Sequence, residues 1–255
     1  MTIEKEVLLQ SSRISSREKD ACIKVLNNFN STSMPVSDKA ANFTNWARTR
    51  DVARFLARYQ LFNLIEKVPG CIFECGVHYG GGFSSWQHLS EIYEPVNFTR
   101  RIYGFDTFEG FPAVSDADNT TLGNRHATGD FTVASEEALI VDTLKNVEET
   151  RKVFVPERFN IVKGDISHTL PLLLERDSSI SIALLYLDLD LFEPTVNVLK
   201  ACLPRLTRGS VVVFDEYADP NWPGETRALS EVLGINNVAL RCFNQVPRIS
   251  YFVYS

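Results

Sequence analysis

Residues 183–195 read ALLYLDLDLFEPT, an apolar run followed by acidic residues. The apolar run is of the kind found in a strand at the middle of a parallel sheet, where both faces of the strand are buried. The run is followed by Asp188 and Asp190, although an uncompensated charge is costly at that depth. Because side chains alternate along a strand, we expect the two carboxylates to point to the same side of the sheet.

Apolar runs and helix-like segments alternate along most of the chain. The predicted strands lie at residues 71–75, 102–106, 159–163, 180–187 and 210–214. The predicted helices lie near residues 51–67, 84–93, 135–150, 169–175 and 194–206, with another starting around Gly224. This alternation predicts a doubly wound α/β fold with a mostly parallel sheet. Two strand-like runs separated by NQVP, residues 244–247, predict a closing antiparallel hairpin.

Composition and charge narrow the function classes. The 255 residues are 44% hydrophobic and carry a formal charge of −6, which suits one large domain. We expect that domain at residues 51–255, after a helical and loop-forming extension at residues 1–50. The lack of a Lys/Arg block and of a long apolar segment argues against nucleic-acid binding and membrane insertion, and favours a cytoplasmic protein. Five cysteines without C-x-x-C spacing indicate reduced thiols rather than a zinc site.

The first predicted strand runs into a glycine-rich turn, FECGVHYGGGFSS. Glu74 closes the strand, Gly76 opens the turn, and the glycines at residues 80–82 allow a ligand to approach the backbone closely. His78 stands where the dinucleotide motif G-x-G-x-x-G has its second glycine, so a smaller cationic nucleoside fits this turn better than a dinucleotide. The alternative is a glycine-rich turn that binds nothing.

The second and third predicted strands also lead into carboxylates. RIYGFDTFEGFP ends its strand at Asp106, which could accept the ribose hydroxyls of an adenosine or cap the following turn. IVKGDISHTLP places Gly164, Asp165 and Ile166 where they could border an adenine. Capping of the following helix by Asp165 is an equally good interpretation.

The fourth and fifth predicted strands end on a group of acids. SVVVFDEY ends on Asp215 and Glu216, and adjacent strand ends would bring these carboxylates close to Asp188 and Asp190. A hard divalent cation such as Mg²⁺ takes carboxylate oxygens and offsets the repulsion among them. The alternative is that Asp190 caps the next helix and Glu216 lies in solvent.

Two further features point to a site for a second ligand. Residues 112–132 form a segment longer than an ordinary connection, which favours a lid or a binding loop that orders over the acceptor. Arg54 and Arg58 share one face of the first predicted helix of the domain. They could hold a phosphate of a nucleotide-linked sugar or form solvated ion pairs.

Taken together, these pieces resemble the TylF/MycF-type macrocin O-methyltransferases, which use S-adenosylmethionine to methylate sugar hydroxyls of natural products. The matching pieces, in family order over about residues 55–220, are ECGVHYGGG, FDTFEGFP, KGDISHTLP, LDLDLFEPT with LPRL, and VVVFDEY. The resemblance implies a seven-stranded class I methyltransferase sheet, which is Rossmann-like, together with Mg²⁺ dependence. It also implies a homo-oligomer assembled partly through N-terminal elements.

The resemblance assigns roles to individual residues. The residues that it places around S-adenosylmethionine are Glu74, Gly76, Val77, Tyr79, Gly80, Gly81, Asp106, Thr107, Phe108, Gly164, Asp165 and Ile166. The metal ligands that it implies are Asp188, Asp215 and Glu216, where family members have Asp-Asp at the last two positions. Asp190 matches the proposed general base of the family.

This assignment is consistent with the chemistry of methyl transfer, an in-line displacement that depends on alignment of the reacting atoms. Mg²⁺ chelated by two neighbouring hydroxyls would lower the pKa of the acceptor, and Asp190 would take the proton. His78, in the first turn, is a rival base. Phe108, Tyr217 and Trp222 could stack on a sugar ring or pack in the protein.

Three classes of function follow from these residues. The favoured one is a Mg²⁺-assisted sugar O-methyltransferase, with a catechol-like acceptor as the alternative, because a metal can chelate either kind of vicinal diol. A nicotinamide-dependent oxidoreductase is disfavoured by the missing G-x-G-x-x-G motif. A catalytically silent nucleoside-binding module is disfavoured because every proposed ligand type is present.

Overall fold

The computed structural model describes residues 15–120, 126–149 and 157–255. They belong to two compact units, residues 1–54 and 55–255. The first unit contains α1 (Ser16–Ser31), α2 (Val36–Ala41), a short 3₁₀-helix (Phe43–Asn45) and the first six residues of α3 (Thr49–Ile65). Ser15 caps α1 by accepting a hydrogen bond from the backbone N–H of Glu18 at 3.2 Å. The ring of Phe29 packs edge-on against that of Trp46, with centroids 5.5 Å apart.

The second unit is built on a sheet of seven strands. They are β1 (Cys71–Cys75), β2 (Ile102–Asp106), β3 (Phe159–Lys163), β4 (Ile182–Leu187), β5 (Leu206–Phe214), β6 (Arg241–Phe243) and β7 (Val246–Val253). Their order is β3-β2-β1-β4-β5-β7-β6, with β1 to β5 parallel and β7 antiparallel to both β5 and β6. The predicted doubly wound, mostly parallel sheet with an antiparallel C-terminal hairpin is confirmed.

Helices cover both faces of this sheet. After α3 they are α4 (Gly81–Tyr93), α5 (Glu137–Glu149), α6 (Ile166–Arg176), α7 (Phe192–Cys202) and α8 (Gly224–Val232), with 3₁₀-helices at Asp116–Asp118, Leu203–Arg205 and Ile235–Asn237. One core cluster joins the sheet to apolar side chains of α3, α4 and α5, and another joins it to those of α6, α7 and α8. Every residue of β4 is buried, as its apolar run predicts.

The chain order of the strands reverses between β1 and β4. From β1 the chain winds outward through β2 to β3, and from β4 it winds the other way to β5. In such sheets ligands bind outside the carboxyl ends of the strands at this switch point. The fold therefore directs attention to the turns that follow β1, β2, β4 and β5.

The structure also shows the state of the cysteines and the character of the helices. All five cysteines are free thiols, as predicted. Within the described ranges, no helix combines the length and the apolar character needed to cross a membrane.

Strand β4 does not extend through Asp188 and Asp190. It ends at Leu187, and Asp190 has a left-handed backbone with φ of 62°. Strand alternation therefore stops before Asp188 and Asp190, so the prediction that it determines the direction of both carboxylates is wrong. A tight turn, with the Leu191 N–H bonded to the Leu189 carbonyl at 2.6 Å, determines the course of the chain here.

Candidate active site at the carboxyl ends of the strands

Backbone strain collects at this edge of the sheet. A residue with positive φ follows each of four strands: His78 (49°), Phe108 (58°), Asp190 (62°) and Ala218 (57°). A left-handed backbone costs a non-glycine residue about 1–2 kcal/mol and persists only where its surroundings enforce it. Such residues cluster at active sites and ligand clamps, so these four turns form the candidate site.

The turn after β1 is held by a carboxylate from the end of β2. One oxygen of Asp106, Oδ2, accepts hydrogen bonds from the N–H groups of Val77 and His78, each at 2.7 Å. The other, Oδ1, accepts from the N–H of Phe108, also at 2.7 Å. The cap of its own turn was one of the two interpretations of Asp106, whereas the bridge to the β1 turn was not foreseen. The contact of Asp106 with a ribose stays a prediction.

Gly76 brings the β1 turn against the end of β4. Its φ is +100°, and a Cβ built on it would lie 2.0 Å from the carbonyl oxygen of Asp188. A side chain at this position would therefore separate the two turns. The expected tight turn is present, and it connects the predicted donor side of the site directly to the predicted metal side.

Glu74 lies beneath this turn rather than in an open pocket. It is 1% exposed, and its carboxylate accepts a hydrogen bond from the indole N–H of Trp86 and lies 3.6 Å from Nη2 of Arg58. Burial raises the pKa of Glu74 to about 7, against the opposing effect of Arg58. A Cβ on Gly82 would lie 1.8 Å from Oε1 of Glu74, which explains the glycine there. Direct contact between Glu74 and a methyl donor stays a prediction.

Arg58 corrects both interpretations of the helix α3 arginines as far as they concern this residue, whereas Arg54 is half-buried and its role stays a prediction. It is 6% exposed, and its guanidinium lies 4.8 Å from the ring centroid of Tyr186 as well as beside Glu74. The pair with Glu74 is therefore a buried ion pair, neither the solvated pair nor the phosphate ligand that the sequence suggested. The helical pattern indicated which residues share a face but not that this face is covered.

Three acids after β4 and β5 come together as predicted. Ligand oxygens of Asp188, Asp215 and Glu216 all lie within 4.8 Å of one another. Asp215 is fully buried and Glu216 is 3% exposed, so the alternative that Glu216 lies in solvent is wrong. Burial, followed by the charges of Asp215 and Asp190, raises the pKa of Glu216 well above its usual range. The hydroxyl of Tyr186 donates a hydrogen bond to Oδ1 of Asp215.

This group of carboxylates fits a divalent cation. Oε2 of Glu216 is buried and has no hydrogen-bond partner among the described residues, which is costly unless a cation satisfies it. Hard carboxylate oxygens on Asp188, Asp215 and Glu216 are the ligand type that Mg²⁺ prefers. The convergence of these residues is an observation, and their role as metal ligands stays a prediction.

The helix after β4 begins without help from Asp190. The residue before α7 is Leu191, and no side-chain capping hydrogen bond is formed there. The alternative in which Asp190 caps this helix is therefore wrong. Instead Oδ1 of Asp118, from residues 112–132, accepts a hydrogen bond from the N–H of Phe192 at 2.6 Å. Asp118 is 2% exposed.

Glu225, in the first turn of α8, was missed by sequence reasoning. It is fully buried, and its carboxylate accepts hydrogen bonds from the N–H of Leu189 at 3.3 Å and from the N–H of Glu216 at 3.1 Å. Burial, followed by the charges of Asp188 and Asp190, raises its pKa well above the usual range. An acid in a first helical turn is common, so no local signal revealed that Glu225 joins the turns after β4 and β5.

The predicted adenine side contains a helix cap. Asp165 precedes α6 and accepts a hydrogen bond from the N–H of Ser167 at 2.8 Å, so the capping interpretation is correct. Gly164 has φ of +125° and donates its N–H to the carbonyl of Asp106 at 2.9 Å. Ile166 is 5% exposed. Contacts of these residues with an adenine stay predictions.

The long segment at residues 112–132 packs against the turn after β5, although its residues 121–125 lie outside the described part of the chain. The ring of His126 stacks on Trp222 with centroids 3.8 Å apart, and its Nε2 lies 2.9 Å from the carbonyl oxygen of Asn221. Trp222 also lies 5.7 Å from the ring of Phe131. Aromatic contacts therefore connect the predicted lid to the predicted acceptor wall.

The other predicted ligand contacts differ in exposure. The side chain of Phe108 is fully buried in the core, so it packs in the protein and does not stack on a sugar. Tyr217 is half-buried against Phe214, with ring centroids 6.4 Å apart. The side chains of His78 and Tyr79 are exposed, with their rings 4.3 Å apart. Thr107 Oγ1 donates a hydrogen bond to the carbonyl of Gly110 at 2.7 Å.

Comparison with solved structures identifies the fold. A crystal structure of CalS11, a calicheamicin methyltransferase, is 35% identical with a TM-score of 0.89 and covers 94% of each chain. An apo structure of CalS11, described as a TDP-rhamnose 3'-O-methyltransferase, is 32% identical with a TM-score of 0.80 and covers 94% of this chain and 96% of that one. The O-methyltransferase NovP shares the fold at 22% identity, with a TM-score of 0.59 over 77% of this chain and 80% of that one. The predicted class I methyltransferase fold is confirmed.

Curated relatives point in the same direction. A mycinamicin III 3''-O-methyltransferase from Micromonospora griseorubida is 26% identical over 62% of this chain. A 4'-O-methyltransferase of a dimethoxyrhamnosyl-tetracenomycin from Streptomyces olivaceus is 28% identical over 61% of it. The chain spans 59% and 56% of the lengths of these two relatives. Residues 36–236 match the family model described as Macrocin-O-methyltransferase (TylF), and the chain therefore belongs to the macrocin O-methyltransferase family.

Proposed function

We propose that this protein is an S-adenosylmethionine-dependent, Mg²⁺-assisted O-methyltransferase that acts on a sugar hydroxyl. The observation that carries the proposal is the group of Asp188, Asp215 and Glu216, whose ligand oxygens lie within 4.8 Å of one another at the switch point of a methyltransferase fold. The acceptor class is supported by the relatives, whose names refer to rhamnose, rhamnosyl and mycinamicin substrates. A homo-oligomer in the cytoplasm is part of the same proposal.

The donor side belongs to the turns after β1 and β2. S-adenosylmethionine would supply the methyl group on a sulfonium, which needs alignment more than activation. Asp106 accepts two hydrogen bonds from the turn after Gly76 and one from its own turn at Phe108, so the backbone of both turns is preformed. Oδ1 of Asp106 accepts one of these three bonds, and a carboxylate oxygen can accept two, which leaves capacity for a ribose hydroxyl.

The acceptor side belongs to the turns after β4 and β5. Asp188, Asp215 and Glu216 would hold Mg²⁺, which when bound would lower the pKa of an acceptor hydroxyl and orient a vicinal diol. Tyr186 orients Asp215 through its hydroxyl. Glu225 ties the backbone at Leu189 to that at Glu216, so the two turns keep their separation.

Asp190 is proposed as the general base. It is partly exposed and lies close enough to Glu216 and Glu225 for its charge to raise their pKa values. Its backbone is left-handed, and its carbonyl oxygen lies so close to Gly224 that a Cβ there would be 2.4 Å away. A strained residue that does not cap its helix and borders the carboxylate group suits a proton acceptor.

The test is methyl transfer from S-adenosylmethionine to a panel of free, nucleotide-linked and product-linked sugars, read by mass spectrometry across a Mg²⁺ series. We expect a methylated sugar in the presence of Mg²⁺ and its loss with EDTA. Asp188→Asn should weaken Mg²⁺ affinity, with activity partly recovered at high Mg²⁺. Asp142→Asn, an exposed position on α5, is the matched control and should behave as wild type. Wild-type turnover that survives EDTA would contradict the metal-assisted mechanism.

A further inference from the structure

Arg248, on β7, lies directly over the carboxylate group. Its Nη2 is 2.7 Å from Oε1 of Glu216 and 3.5 Å from Oδ2 of Asp215. Its Nη1 is 3.6 Å from Oδ2 of Asp219. The Arg248 backbone carbonyl accepts the N–H of Tyr217 at 3.0 Å, which fixes the backbone beside the end of β5. No sequence pattern pointed to Arg248, which reaches the site from the C-terminal hairpin.

The guanidinium and its partners differ in their access to water. The Arg248 side chain is 40% exposed, whereas those of Asp215 and Glu216 are 0% and 5% exposed. The guanidinium therefore approaches the buried acids from the solvent side. Because the Arg248 backbone is held in the sheet, a departure of the guanidinium from the acids would be a movement of the side chain alone, toward its solvent-exposed side.

The same carboxylates serve Arg248 and the proposed metal. Mg²⁺ binds carboxylate oxygens at about 2.0–2.1 Å and keeps a compact, fully ligated shell. A guanidinium nitrogen 2.7 Å from Oε1 of Glu216 would place a second positive charge beside that shell, and the two cations would repel each other across the shared carboxylates. Simultaneous occupation of Asp215 and Glu216 by both cations is therefore unfavourable.

We propose that Arg248 is a built-in counter-ion that competes with a divalent cation for Asp215 and Glu216 and is displaced when the cation binds. This inference rests on the proposed metal site. It gives Arg248 a function beyond structural pairing, since the strength of its ion pairs sets the Mg²⁺ concentration at which the site fills. If Arg248 instead held the carboxylates in position for Mg²⁺, its removal would make these ligands less ordered and would weaken Mg²⁺ binding.

The first test is calorimetric titration of Mg²⁺ into the full chain without donor or acceptor. We expect Arg248→Gln to lower the Kd for Mg²⁺ about tenfold, within the ordinary range for coupled ligands. Arg241→Gln removes the same charge from an exposed position on β6 of the same hairpin and should leave the Kd unchanged. An Arg248→Gln protein that binds Mg²⁺ as weakly as wild type, or more weakly, would overturn the inference.

The second test uses the wild-type protein, so it does not depend on the folding of a variant. Phenylglyoxal modification of Arg248, read by peptide mass spectrometry, should become several-fold faster when Mg²⁺ is added, since displacement frees the guanidinium. Modification of Arg241 is the internal control and should not change. An unchanged or slower rate at Arg248 would overturn the inference.

The two proposals fail in different ways. Equal Mg²⁺ affinity in wild type and Arg248→Gln would contradict the competition and leave the metal site standing. Absence of Mg²⁺ binding in both proteins would contradict the metal site and the competition together. Binding to Arg248→Gln alone would support the competition in its strongest form.

Discussion

The two halves of the candidate site are completed in different ways. After β1 and β2, Asp106 meets three backbone N–H groups, and the turn is closed by hydrogen bonds of the chain itself. After β4 and β5, acids such as Asp215 and Glu216 are buried close together, and burial followed by the charge of Asp215 raises the pKa of Glu216. The turns after β1 and β2 are therefore satisfied by hydrogen bonds to the backbone, whereas the turns after β4 and β5 concentrate negative charge that Arg248 offsets in part and that the proposed cation would balance further.

The largest effect is expected from Asp190→Asn, which tests whether the acceptor half carries the proton transfer. Asparagine tolerates a left-handed backbone, so the φ of 62° is retained while the basic oxygen is lost. We expect turnover to fall roughly 10²- to 10⁴-fold, as for removal of a positioned base. Affinities for Mg²⁺ and S-adenosylmethionine, measured by calorimetry, should stay near wild type. A variant that turns over as fast as wild type would exclude Asp190 from the chemistry.

Two isosteric substitutions, one in each half of the candidate site, test whether the halves differ in their contribution to stability. Asp106→Asn cannot keep all three hydrogen bonds that the carboxylate accepts, and should lower the free energy of unfolding by about 2–3 kcal/mol. Asp188→Asn removes one charge from a crowded group, and should leave the free energy of unfolding unchanged or slightly higher. Urea denaturation in EDTA measures both. Equal destabilisation by the two changes would mean that the halves do not differ in this respect.

The smallest effect concerns the pH dependence of stability. The pKa of Glu74 rises from 4.5 to about 7 on folding, mainly through burial. Between these values the folded protein binds more protons than the unfolded chain, so this group's stabilising contribution is lost as pH rises through that window. The slope reaches at most about 1.4 kcal/mol per pH unit.

The measurement is urea denaturation of wild type and Glu74→Gln in EDTA from about pH 5 to 8. The difference between the two slopes isolates Glu74 from other titrating groups, and wild type should lose stability faster with rising pH. Parallel slopes would show that the charge of Glu74 is tolerated in the fold. Glu175→Gln, the same change at an exposed position on α6, provides the control substitution.

The strands of the sheet and the location of the carboxylate group could be predicted from the sequence. The runs at residues 71–75, 102–106 and 159–163 coincide with β1, β2 and β3, because a strand buried on both faces must be continuously apolar. The approach of Asp188 to Asp215 and Glu216 also followed from sequence, because the carboxyl ends of adjacent parallel strands meet at one edge. Both predictions require only local sequence patterns and the class of the fold.

Which charged groups interact could be learned only from the tertiary structure. Glu225 looks like any acid in a first helical turn, and Arg58 and Arg248 look like surface arginines. Yet Glu225 joins two turns of the site, Arg58 pairs with buried Glu74, and Arg248 lies over the carboxylate group. Packing sets burial and the distance between groups far apart in the chain, and these two quantities determine the strength of a charge interaction.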